Sequence, residues 1–151
     1  MDRQGLLALG RALLILGSAA QIGCGSGGNG LDLGPTNVVV YQREFAFEEL
    51  PRFGVFVADF EAPETGDLQV TVDWSLASDD IDLVLSNPAC DEVARAAGTC
   101  KVLASDGSNA KPAELRLSTT ATAYRLFVVN LGPGSESGSA LVTLTQPRLV
   151  P

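Results

Sequence analysis

Leu68-Gln69-Val70-Thr71-Val72-Asp73-Trp74-Ser75-Leu76 is the stretch that decides the fold. Apolar and polar residues alternate strictly along it. A β-strand points successive side chains to opposite faces, so this pattern predicts a strand with one buried and one wet face. The same period of two recurs from Val38 onward. Phe45 and Phe47 alternate with Glu44, Ala46 and Glu48; Phe53, Val55 and Val57 with Gly54, Phe56 and Ala58; Ile81, Leu83 and Leu85 with Asp82, Val84 and Ser86. Leu115 and Leu117, Tyr124 to Asn130, and Ala140 to Thr145 follow.

Turn formers separate the runs: Leu50-Pro51-Arg52, Ala62-Pro63-Glu64-Thr65-Gly66-Asp67, Asp106-Gly107-Ser108-Asn109 and Gly132-Pro133-Gly134-Ser135. Short strands at this spacing predict an all-β chain folded as an antiparallel, jelly-roll-like β-sandwich over residues 38–147. One helical turn or two is expected at Asp91 to Ala97, ended by Gly98.

The N-terminal residues read differently. Arg3 and Arg11 precede Ala12-Leu13-Leu14-Ile15-Leu16-Gly17-Ser18-Ala19-Ala20, an apolar run too short to span a bilayer. This is the secretory pattern, a signal helix over residues 1–23. Gln21-Ile22-Gly23-Cys24 resembles the lipobox of bacterial lipoproteins, which implies lipid attachment at Cys24; Gln21 departs from the apolar residue usual there. The rival reading is ordinary cleavage after Ser18-Ala19-Ala20, which releases a secreted protein. Residues 24–37, with Gly25-Ser26-Gly27-Gly28-Asn29-Gly30, read as a flexible tether. Gly25, where an aspartate is absent, is consistent with outer-membrane sorting in the lipoproteins it resembles, facing the periplasm or the surface.

The chain has three cysteines. An oxidising compartment favours a disulfide between Cys90 and Cys100, near neighbours in sequence, and leaves Cys24 for lipid. Their spacing is not CxxC, so the bridge reads as a loop staple rather than a redox centre.

Composition excludes several activities. The 151 residues contain no histidine, which removes Ser-His-Asp triads and imidazole-ligated metals. The net charge of −8 argues against nucleic acid. A serine hydrolase would need a Ser-Lys dyad, and the two lysines, Lys101 and Lys111, lie in turn-rich segments. Asp79, Asp80 and Asp82 form the densest acidic cluster. Hard oxygen ligands suit calcium, which needs six to eight of them, so Asp73, Asp106 or Asn109 would have to join. The alternative is a solvated turn in which Asp82 caps backbone amides. Trp74 lies on the apolar side of its strand and reads as core rather than as a sugar-stacking platform.

Trp74-Ser75-Leu76-Ala77-Ser78-Asp79-Asp80-Ile81-Asp82-Leu83-Val84-Leu85 resembles the middle of the bacterial pre-peptidase C-terminal domain. Ala123-Tyr124-Arg125-Leu126-Phe127-Val128-Val129-Asn130 resembles that family's tyrosine-bearing strand, and Gly132 to Thr145 its glycine-rich turn and last strand. Ala123 stands where the family has glycine, and the Cys90–Cys100 loop reads as an insertion. The resemblance implies a jelly-roll-like sandwich that acts in binding or stability, with calcium in some members. The expected function is therefore that of a non-enzymatic, lipid-anchored cell-envelope domain whose partner is an envelope protein or polymer. The alternative is a secreted calcium-dependent or carbohydrate-binding module.

Overall fold

The structure, a computed structural model, describes residues 36–148. The signal stretch 1–23, Cys24 and residues 24–35 of the expected tether lie outside the described residues. Eight strands and one short helix follow in order: β1 (Thr36–Leu50), β2 (Val55–Ala62), β3 (Gly66–Trp74), β4 (Ile81–Ser86), α1 (Glu92–Ala96), β5 (Val102–Asp106), β6 (Ala113–Thr119), β7 (Thr122–Asn130) and β8 (Glu136–Arg148). Strand β1 begins at Thr36, within the segment expected to be tether.

The strands form two four-stranded sheets, ordered β1-β8-β3-β6 and β2-β7-β4-β5, with every pairing antiparallel. This is the jelly-roll order, in which consecutive strands alternate between two packed sheets except where β4 and β5 pair within one. The expected all-β sandwich is what the chain forms. The clearest alternation in the sequence becomes a central strand. On β3, Leu68, Val70, Val72 and Trp74 are buried, while Asp67 and Asp73 are exposed. On β4, Ile81, Leu83 and Leu85 face the same core. The core lies between the inner faces, where Phe60 stacks on Tyr124 at 5.6 Å.

The phase of β2 differs from expectation. Ala58, Phe60 and Ala62 are buried, Val57 is exposed, and Phe53 falls in the preceding turn. The cause lies on the outer face of the second sheet. Phe127 and Val129 of β7 point outward yet are buried, together with Cys90 and beside Val55, Val84 and Cys100. The Cys90–Cys100 bridge, with Cα atoms 5.5 Å apart, ties the α1 loop over this face. Apolar residues are then needed on both faces, so alternation fades along β2 and β7. Asp91 caps α1 by accepting from the Ala94 amide at 2.7 Å, and Gly98, at φ +68°, ends it. Arg125 clamps the loop from the sheet: it donates to the Cys90 carbonyl at 3.0 Å and to both Asp59 carboxylate oxygens at 2.7 Å. Strand β5, an edge strand with little burial, was not expected from the sequence.

Candidate functional site

Antiparallel pairing collects four connections at one end of the sandwich: residues 51–54, 75–80, 107–112 and 131–135. The sequence-predicted acidic residues all lie here, but Asp79 is turned to a different connection from Asp82 and Asp106. Asp79 is buried at 3% exposure and turns toward the β7–β8 connection. Its carboxylate accepts from the Gly134 amide at 3.0 Å, and its carbonyl accepts from the Trp74 indole at 3.2 Å. A Cβ on Gly132 would sit 2.5 Å from the Asp79 Cβ, so only glycine permits this approach. Asp82 instead lies beside Gly107 on the far sheet. Burial raises its pKa, and the nearby charges of Asp80 and Asp106 raise it further. Asp106 is engaged with the backbone, accepting from the amides of Ser108 and Glu114, both at 2.9 Å. Among the described residues no group of three or more acidic or cysteine side chains is arranged to hold a metal ion.

Two residues that sequence reasoning missed organise this end. Glu136, at the start of β8, is completely buried. Its Oε2 accepts from the amides of Ser75 and Leu76, each at 3.0 Å, and from the Ser75 hydroxyl. Burial pushes its pKa up. The Ser75 hydroxyl and the Leu76 and Ser75 amides act against burial and hold the net value below the usual range. Asn130, at the end of β7, is also completely buried. It donates to the carbonyls of Leu50 at 3.0 Å and Gly134 at 2.8 Å, and accepts from the Gly132 amide at 2.9 Å. One side chain therefore braces the β1–β2 and β7–β8 connections. The signal in the sequence was faint: a glutamate inside a Gly/Ser-rich turn, and an asparagine closing an apolar run.

Trp74 is core, 3% exposed, with Lys111 above its ring at 5.5 Å; Lys111 also pairs with Asp73 at 3.5 Å. Phe53 does the opposite. It is 64% exposed, and its φ of +61° is left-handed, a conformation bulky residues rarely adopt. The outer face of the β1-β8-β3-β6 sheet is polar. A shallow hollow of about 500 Å³ there is lined by Asn37, Asp67, Gln69, Arg116, Ser118 and Thr145 among others.

No family model matches this sequence, and no curated protein matches it. Solved structures similar to the chain include a periplasmic lysozyme inhibitor of g-type lysozyme from Aeromonas hydrophila. It is 14% identical, with 75% of this chain and 89% of that one covered, at a TM-score of 0.41. They also include the pre-peptidase C-terminal domain of a collagenase from Bacillus anthracis. It is 12% identical, with 70% of this chain and 89% of that one covered, at a TM-score of 0.48. The family resembled by the Trp74–Leu85 and Ala123–Asn130 stretches is thus met again among the solved structures similar to this chain.

Proposed function

We propose that this chain is a non-catalytic binding module of the bacterial cell envelope, carried on lipid attached to Cys24. The observation that carries the binding role is the loop end. A completely buried Asn130 ties together the connections that display a strained, exposed Phe53. Strained, rigidly held residues concentrate where a protein meets a ligand. The signal-like N-terminus, the lipobox resemblance at Gly23-Cys24 and the disulfide support export. Strand β1 enters the sandwich at Thr36 and leaves at Leu50 on the loop end.

Mass spectrometry of the N-terminus from the native host tests the anchor. The expected product begins at a diacylglycerol-modified Cys24, and Cys24→Ala abolishes membrane fractionation. An unmodified chain starting at Gln21 would reject lipidation. A carbohydrate-binding module is the second reading, favoured by the hydroxyl- and amide-lined hollow on the outer sheet face. Glycan-array binding that is lost in Arg116→Ala would select it over the loop-end reading.

A further inference from the structure

Three large apolar side chains stand exposed on three connections of the loop end: Phe53 at 64%, Leu76 at 49% and Leu131 at 39%. Backbone hydrogen bonds lock these connections together. The Phe53 amide donates to the Asn130 carbonyl at 2.7 Å, and the Asn130 amide returns a bond to Gly54 at 3.0 Å. The Leu131 amide donates to the Asp80 carbonyl at 2.8 Å, and within the 75–80 connection the Asp79 amide donates to the Leu76 carbonyl at 3.1 Å. A left-handed φ at position 53 would suit glycine or asparagine, yet a phenylalanine occupies it. The surroundings are acidic. Glu48, Glu49 and Asp73 are exposed, and Asp80 and Asp82 are half-buried. Against these five carboxylates stand Arg52, 4.5 Å from the Phe53 ring centroid, and Lys111, which pairs with Asp73, so the balance of charge at this end is negative.

Resting on the binding reading above, we propose that the loop end docks a cationic protein whose surface offers an apolar pocket to Phe53, with Leu76 and Leu131 flanking it. An exposed aromatic on a rigid frame loses little entropy on binding, and buried aromatic anchors dominate interface energetics. The acidic surround steers a basic partner and disfavours others. A second copy would bring like-charged loop ends together, and an anionic bilayer would meet an end whose carboxylates outnumber Arg52 and Lys111.

A phage-displayed library of random cyclic peptides, selected on the immobilised full chain, tests this. Phe53→Gly removes the side chain and relieves the left-handed backbone, so the variant stays folded; its melting curve verifies that. Selected peptides should carry net positive charge and a large apolar residue. They should bind Phe53→Gly about tenfold more weakly or worse. They should also weaken between about 50 mM and about 300 mM salt, and be indifferent to Arg116→Ala. Neutral or acidic peptides, or full binding to Phe53→Gly, overturn the proposal. Peptides sensitive to Arg116→Ala but not to Phe53→Gly overturn the site while leaving the binding reading intact; a library without binders overturns both. Phe53-dependent sedimentation with phosphatidylcholine vesicles, with or without phosphatidylglycerol, or a Phe53-dependent dimer, overturns the assignment to a protein partner.

Discussion

Replacing Asn130 tests whether one side chain holds the loop end together. Asn130→Ala strips the Leu50 and Gly134 carbonyls of their donor and the Gly132 amide of an acceptor. The Gly132 amide keeps a longer bond to the Asp80 carbonyl, at 3.2 Å, so its loss is softened. Each buried group left unpaired costs about 1–3 kcal/mol. With two carbonyls fully affected, the expected cost is about 4 kcal/mol, or a melting midpoint lower by about 15 °C in a domain of this size. Asn130→Asp is the sharper probe. At neutral pH it sets a buried carboxylate against two carbonyl oxygens, whereas the protonated acid can donate to one of them. The variant's folded state therefore holds its proton more tightly than the unfolded chain does. Stability should rise as pH falls from 7 toward about 4, the unfolded value, because the folded state binds the extra proton in that window. Urea unfolding followed by Trp74 fluorescence reads both effects. If Asn130→Ala unfolds within about 1 kcal/mol of the parent, well below the expected desolvation cost, the brace is not what fixes the loops. An Asn130→Asp variant equally stable at both pH values would refute the geometry.

The folded Glu136 carboxyl has a lowered pKa, so its contribution is complete above the unfolded value of about 4.3 and disappears as pH falls through the lower folded value. The stability gap between the parent and Glu136→Gln should therefore narrow below about pH 4; a gap constant down to acid denaturation would contradict the assigned hydrogen bonds. Paired Cys90→Ser and Cys100→Ser substitutions should cost about 2–3 kcal/mol by loop closure and uncover Phe127, which dye binding to exposed apolar surface would register. Trp74 is the chain's one tryptophan and is buried, so its emission should be blue-shifted and resist iodide until unfolding; quenching in the native state would return it to the surface. Millimolar calcium should leave the melting midpoint where a chelator leaves it, because Asp79 is bound to Gly134 and no three acidic side chains among the described residues are arranged to hold a metal ion. A calcium-dependent rise would restore the Asp79–Asp82 site.

Sandwich architecture was legible wherever one face of a strand is wet. Along β3 and β4, Leu68 to Trp74 and Ile81 to Leu85 announce their inner faces by simple alternation. It was less legible where both faces are covered. Phe127 and Val129 look inward-facing to any reading that assumes a wet outer side, and the loop that covers them is tied down by a disulfide. The phase of β2 was lost for the same reason. In the site, the acidic cluster was visible but its division between Gly134 and Gly107 was not.

Most of the strands, the turns between them and the Cys90–Cys100 pairing are local properties. They follow from side-chain alternation, turn-forming residues and the spacing of Cys90 and Cys100 within a few positions of each other, so the amino-acid sequence alone determined them. Glu136 meets Ser75 across 61 positions, and Asn130 meets Leu50 across 80. No local pattern encodes such meetings, because they exist only after β1, β8 and β3 have joined in one sheet and β7 has packed in the other. Tertiary structure alone decided which buried polar groups brace the loops, and hence why Phe53 stands exposed at their tip.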